Sequence, residues 1–148
     1  MKIFLIFVMS CAISVLLTYF EFSAEINIIS TLYNTIGIVF AIGMGLIVTF
    51  SINGVENKDY ILNIRKNIRQ VRQKFIILFS ICTLLFICTD NINHDMIYSG
   101  INFSIIVSNF VLLFFIFSII YFIVNFIRLQ NLNNDIYDRL LQEKNQKH

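Results

Sequence analysis

The stretch NTIGIVFAIGMGLIVTFSINGVENKDYILNIRKNIRQVRQKF, residues 34–75, decides the fold. Its first half, 34–55, holds no charged side chain, and its second half holds Lys58, Arg65, Lys66, Arg69, Arg72 and Lys74. A spanning helix needs about 20 apolar residues to cross a bilayer core about 30 Å thick. The first half therefore reads as a membrane span. The second reads as a segment held in the cytoplasm, because connections that stay inside carry the excess of Lys and Arg.

The same pattern extends outward along the chain. The charged residues leave four uncharged intervals, 3–20, 26–55, 75–89 and 96–127, which together take up 95 of the 148 residues. The chain is 57% hydrophobic and 14% charged, whereas a soluble domain carries about 25% charge. This excludes a water-soluble enzyme. The expected fold is all-α: one polytopic membrane domain over 1–148, with spans at 3–20, 32–52, 74–92 and 101–127, a basic cytoplasmic helix over 58–74 and a tail helix over 128–146. The third span is the shortest, since 75–89 rises only about 22 Å at 1.5 Å per residue. Arg72 and Lys74 lengthen it by running their stems along the helix and keeping their charges in the head groups.

All eleven Lys and Arg lie at Lys2, in the middle connection or in the tail (Arg128, Arg139, Lys144, Lys147), and the other two connections have none. That distribution places both termini in the cytoplasm. It sets eleven cations and five carboxylates inside, and Glu21, Glu25, Asp90 and Asp95 outside. A Lys followed by an apolar run can also be a secretory signal. Against it, the residues before Ala24 read Glu21-Phe22-Ser23, without the small-x-small cleavage pattern, and the apolar run after Val8-Met9-Ser10-Cys11 continues too far for a lipoprotein site.

Cys11, Cys82 and Cys88 all fall inside spans, where Cys acts as a small apolar residue, and their odd number without CxxC spacing argues against disulfides or zinc. No ionisable residue lies mid-span. Proton-coupled transporters and voltage sensors need such groups at membrane depth, so multidrug exporters are disfavoured. The spans instead carry small and weakly polar stripes. Gly37, Ala41, Gly45 and Thr49 recur every four residues in the second span, with Asn34 and Ser51 close to the same face. Such a stripe is either a close-packing seam or a pore lining whose gate is loosened by Gly43 and Gly45. Ser10, Ser14 and Thr18 line one face of the first span. In the fourth, Ser104, Ser108, Ser118 and Asn125 share an arc, while Asn102 and Asn109 point elsewhere. These side chains serve as glue between helices or as a wetted wall.

The middle connection is the most informative segment. Asn53-Gly54 is a turn signal and Asn57 or Asp59 can cap a helix. Nothing breaks that helix before the third span, so the spacing predicts one rod of about 30 residues. Ile61, Ile64, Ile68, Val71 and Phe75 share its apolar face, and Lys58, Arg65, Arg69 and Arg72 form a stripe beside it. These cations either hold topology against anionic head groups, at about 1 kcal/mol each, or bind a polyphosphate chain. Only Tyr60 and Tyr137 offer stacking platforms for a nucleic-acid strand. In the tail, Leu129, Leu132, Ile136 and Leu140 make an amphipathic face, to pack on the middle helix or to bundle with copies of itself. Outside, Asp90, Asn91, Asn93, His94 and Asp95 cluster in a short loop. With a single His, they read as solvated loop residues rather than a metal site, and no cofactor is implied. In an oligomer these carboxylates would make a negative outer mouth.

Four spans, the stretch quoted above, and a chain without Pro or Trp but rich in Ile and Asn resemble the small membrane effectors of bacterial anti-phage operons, most of all the channel subunit of the Hailong defence system. The resemblance implies a homotetrameric ion channel in the bacterial inner membrane. In that family a neighbouring nucleotidyltransferase makes a single-stranded DNA that binds the membrane subunit and holds it closed, and loss of the DNA opens it. Arg65, Lys66, Arg69 and Arg72, with Lys58, are then the ligand-binding candidates, on charge and location. Two other readings stay open: a non-conducting membrane adaptor, and a holin-like or toxin-like permeabiliser without a ligand. Enzymatic activity is not expected, because neither His94 nor His148 is paired with a nucleophile.

Overall fold

The computed structural model describes residues 2–49, 58–90, 97–98 and 101–145. Four helices dominate it: α1 (Lys2–Tyr19), α2 (Ile26–Thr49), α3 (Lys58–Asp90) and α4 (Phe103–Asn145). Three are long and apolar enough to cross a membrane, over Ile26–Thr49, Ile61–Thr89 and Ser104–Asp138, while the apolar helix of α1, Phe4–Tyr19, is shorter. A backbone in lipid must satisfy its hydrogen bonds within its own segment, and helices do this. The hydroxyls follow the same rule: those of Thr31, Thr35, Ser80, Thr83, Thr89 and Ser118 each donate to the carbonyl four residues back, at 2.7–3.0 Å.

Boundaries differ from the sequence reading in four places. α2 begins at Ile26, six residues before the expected span, because residues 26–31 continue its apolar pattern without a helix breaker. α3 begins at Lys58, so Asp59 falls inside the first turn rather than at the cap. The Asn53-Gly54 turn and Asn57 lie outside the described residues. The chain enters α4 from a two-residue antiparallel pair, β1 (Ile97–Tyr98) and β2 (Ile101–Asn102), in the register Ile97↔Asn102 and Tyr98↔Ile101, so residues 101–102 belong to a strand and not to the fourth helix. Finally, the tail is not a separate helix. α4 passes through Arg128 and runs on to Asn145, 43 residues in all, since no Pro or Gly interrupts it.

α4 is the central element: α1, α2 and α3 all pack on it, and α3 also packs on α2. The core between them is aromatic. Phe75, Phe114, Phe115 and Phe122 are fully buried. Tyr33 stacks on Phe86 at 4.4 Å, Phe40 on Phe79 at 4.3 Å, and Phe75 meets Phe122 edge-on at 4.8 Å. Offset and edge-to-face pairs of this kind add about 0.5–1.5 kcal/mol each beyond burial.

The first connection is fastened to α4. α1 ends with Phe22 N donating to Leu17 O at 3.1 Å and Glu21 N to Thr18 O at 3.0 Å, a Schellman closure. Glu21 occupies the left-handed position, φ 58°, where Gly is usual. Beyond it, Asn109 of α4 is fully buried. Its Oδ1 accepts from Ala24 N at 3.0 Å, and its Nδ2 donates to Phe22 O at 2.7 Å and Thr18 Oγ1 at 3.2 Å.

Candidate functional site

The basic half of α3 and the tail half of α4 lie side by side. Ile64 and Ile136 are buried against each other, with Ile61, Ile68 and Leu132 packed around them. Of the two expected uses of the tail's apolar face, packing on the middle helix is the one observed. Leu129 is also buried in the main core, so the tail begins inside the bundle and stays docked as it leaves.

This docking turns the cations outward. Arg65, Lys66, Arg69 and Arg72 are all exposed, as is Lys74, and among the described residues none of them is held in an ion pair. Lys58 is the first residue of α3. At about 100° per residue, Arg65, Arg69 and Arg72 fall within about 60° of one another, beside the buried Ile64 face. At 1.5 Å rise, Arg65 to Arg72 spans about 10 Å of one rigid helix. Tyr137 of the tail is exposed too; Tyr60 has no described side chain. The tail adds Asp135 and Asp138, also exposed.

The small-residue stripe of α2 is placed differently from a seam inside the chain. Among the described residues a Cβ added at Gly37 or at Gly45 would meet nothing within 4 Å, and Asn34, Ala41 and Thr49 are exposed. Thr49 donates to its own helix, at 3.2 Å to Gly45 O and 3.1 Å to Leu46 O. The glycine that does accept a close neighbour is Gly43, where an added Cβ would lie 2.5 Å from Phe75 Cε2. Gly43 sits about 160° around the helix from Gly45, on the side facing α3, and the bulk of Phe75 requires it. The stripe thus faces away from the other helices.

The fourth-helix polar residues are mostly internal. Ser104 and Ser118 are buried and Ser108 and Asn125 half-buried. Ser118 accepts from Cys82 Sγ at 3.6 Å while donating to Phe114 O, and Asn125 Nδ2 donates to Tyr121 O at 2.7 Å. Of these bonds, Cys82 to Ser118 joins α3 to α4, and the other two stay within α4. Asn109, which the periodicity set apart from this face, ties α4 to the end of α1 at Thr18 and to the connection after it at Phe22 and Ala24. Ser10 of the first-helix stripe is buried with no partner for Oγ among the described residues, Ser14 donates to Cys11 O, and Thr18 joins the Asn109 network.

Glu21 and Glu25 are exposed at the other end of the molecule, and Asp90 closes α3. Residues 91–96, including His94 and Asp95, lie outside the described residues. Among the described residues no group of three or more His, Cys, Asp or Glu gathers to hold a metal. Cys11, Cys82 and Cys88 are free thiols. No protein-family model, curated protein or solved structure matches the chain. The molecule is an all-helical protein with three helices long and apolar enough to cross a membrane, in which the basic half of α3 lies beside the tail half of α4.

Proposed function

We propose that this protein is the subunit of an oligomeric ion channel of the bacterial inner membrane, gated by a single-stranded oligonucleotide on its cytoplasmic rod, in the anti-phage role that the resemblance implies. α1 serves as the fourth span and both termini lie inside. One observation carries the ligand site: Arg65, Lys66, Arg69 and Arg72 stand exposed and unpaired among the described residues, on a helix whose neighbouring Ile61, Ile64 and Ile68 face is fastened to the tail. The distance along the rod separates this reading from simple lipid anchoring. The head-group layer is about 5–7 Å deep on each side of the core. Measured from Lys74, Arg69 lies about 7 Å farther out along the helix and Arg65 about 13 Å. Lipid phosphates reach Arg72 and Lys74; the cations beyond them suit a soluble polyanion with phosphates in series.

The aromatic core supports an assembly. With Phe75, Phe114, Phe115 and Phe122 filling the space between the helices, a single chain offers no water-filled lumen there. The path for ions then lies between copies. The outward small stripe of α2 gives each copy a surface on which helices can approach closely, and we take four copies as the assembly. Gating follows from charge. Cationic rods at one level around an axis repel within the Debye length, about 8 Å at physiological salt. A polyanion bridging them removes the repulsion and holds the inner mouth closed, and its loss lets the rods separate.

The test is a titration of the purified full-length protein with a single-stranded DNA oligonucleotide at several salt concentrations. Wild type should bind with an affinity that falls steeply with salt, since each neutralised phosphate releases a counterion. The variant Arg65→Gln/Arg69→Gln/Arg72→Gln should bind more weakly and with a shallower salt slope. Unchanged affinity and slope in the triple variant would remove the rod as the site.

A further inference from the structure

A groove of about 310 Å³ runs between α1 and α4. Leu5 and Ile6 of α1 face Phe117 and Val124 of α4, and Asn125 and Arg128 lie at the end toward the cytoplasmic tail. We propose that this groove holds an acyl chain of an anionic phospholipid whose phosphate is met by Arg128. The volume lies at the lower end of small-ligand sites, about 300–1,000 Å³.

Two features point to that occupant. First, Arg128 is the first charge after the 32 uncharged residues 96–127, so it marks the depth where hydrocarbon gives way to head groups. Just above it in the bilayer the groove walls are aliphatic and aromatic, and an apolar groove open to lipid takes a chain. Second, Arg128 is exposed and joined to no carboxylate among the described residues, so its guanidinium is free to hold a phosphate by two parallel hydrogen bonds. α1 begins at Lys2, which brings a second cationic residue to the same boundary. Asn125 is neutral and gives one bond of Nδ2 to Tyr121 O, so Arg128, the one charged residue of this lining, is the group that selects charge. A zwitterionic head group carries its own ammonium and gains less from it. A soluble polyanion has no chain to fill the groove. This inference rests on α4 spanning the membrane, and not on the oligonucleotide reading of the rod.

The chain contains no Trp, so one introduced Trp reports a single place. Phe117→Trp sets the reporter in the groove, Val124→Trp provides a second position one turn from Arg128, and Ile38→Trp on the exposed face of α2 is the control. Each full-length protein is reconstituted into vesicles of phosphatidylcholine doped with brominated phosphatidylglycerol or with brominated phosphatidylcholine, and quenching is converted to relative association. The groove reporters should prefer phosphatidylglycerol about fivefold, the factor for one interfacial cation. Arg128→Gln should bring the ratio to about one, and Ile38→Trp should show little preference. Equal quenching by the two lipids at both groove positions would overturn the proposal. So would a preference as large at Ile38→Trp, or one that survives Arg128→Gln. Absence of quenching by either lipid would mean that the groove is covered by protein, and would overturn it equally.

Discussion

Replacing Asn109 by Leu should undock the first helix from the bundle. The side chain is fully buried and makes three hydrogen bonds, to Ala24 N, Phe22 O and Thr18 Oγ1. Leu keeps most of the volume, so the loss is mainly polar. Ala24 is buried and its N–H lies in the 22–25 segment, outside any helix, so it has no second partner; a stranded buried donor costs about 1–3 kcal/mol. The two bonds donated by Nδ2 add about 0.6 kcal/mol each on the scale of hydrogen bonds between membrane helices. The sum is about 2–4 kcal/mol. SDS titration of the purified protein in mixed micelles reads it as a lower midpoint. Maleimide labelling of Cys11, half-buried on α1, should accelerate as α1 loosens. A double-mutant cycle with Thr18→Ala should give a coupling of at least about 0.5 kcal/mol, as expected for groups in contact. Ser10→Ala is the internal comparison: its hydroxyl is buried without a partner among the described residues, so removing it should be neutral or stabilising by up to about 1 kcal/mol. A change below about 0.5 kcal/mol in Asn109→Leu, with unaltered Cys11 labelling, would refute the reasoning.

Other substitutions probe the remaining elements. Gly43→Ala places a methyl against the Phe75 ring and should destabilise by about 1–3 kcal/mol, the usual cost of overpacking; the same midpoint measurement checks it, and Phe75→Leu in the same chain should recover part of the loss. Gly37→Ala and Gly45→Ala, which meet open space, should leave the stability of the single chain unchanged or slightly higher but should weaken self-association in analytical ultracentrifugation. Glu21→Gly relieves a left-handed residue, φ 58°, and should raise the midpoint by about 1 kcal/mol.

The helices were legible in the sequence because a bilayer constrains a chain so tightly. Intervals of 30 and 32 uncharged residues have few outcomes other than helices in lipid, and with no Pro anywhere the helices had nothing to stop them at the membrane surface. The outward cationic stripe was visible for a related reason: the period that buries Ile64 and Ile68 turns Arg65, Arg69 and Arg72 beside them. What escaped the reading depends on partners distant in sequence. Which glycine packs was decided by Phe75, thirty-two residues away, so the regular stripe drew attention while Gly43 took the contact. Asn109 lay off the polar arc of its own helix because it serves the end of α1 and the connection after it, and periodicity describes only a continuous facing stripe. Glu21 carried no signal, since a left-handed helix end is announced by Gly and here has none. The hairpin before α4 rests on two residues per strand, too few for an alternating pattern to show.

In the function proposed above, copies of this chain conduct ions around an axis and a polyanion on the α3 rod closes them. Single-channel recording of the purified protein in planar bilayers tests it most directly, with a single-stranded DNA oligonucleotide added to the side that carries the rod. Wild type should show unitary conductance that the oligonucleotide suppresses, and Arg65→Gln/Arg69→Gln/Arg72→Gln should conduct in its presence. Silence under all conditions would contradict the account and favour a membrane adaptor; leakage indifferent to the oligonucleotide would contradict it and favour a ligand-free permeabiliser.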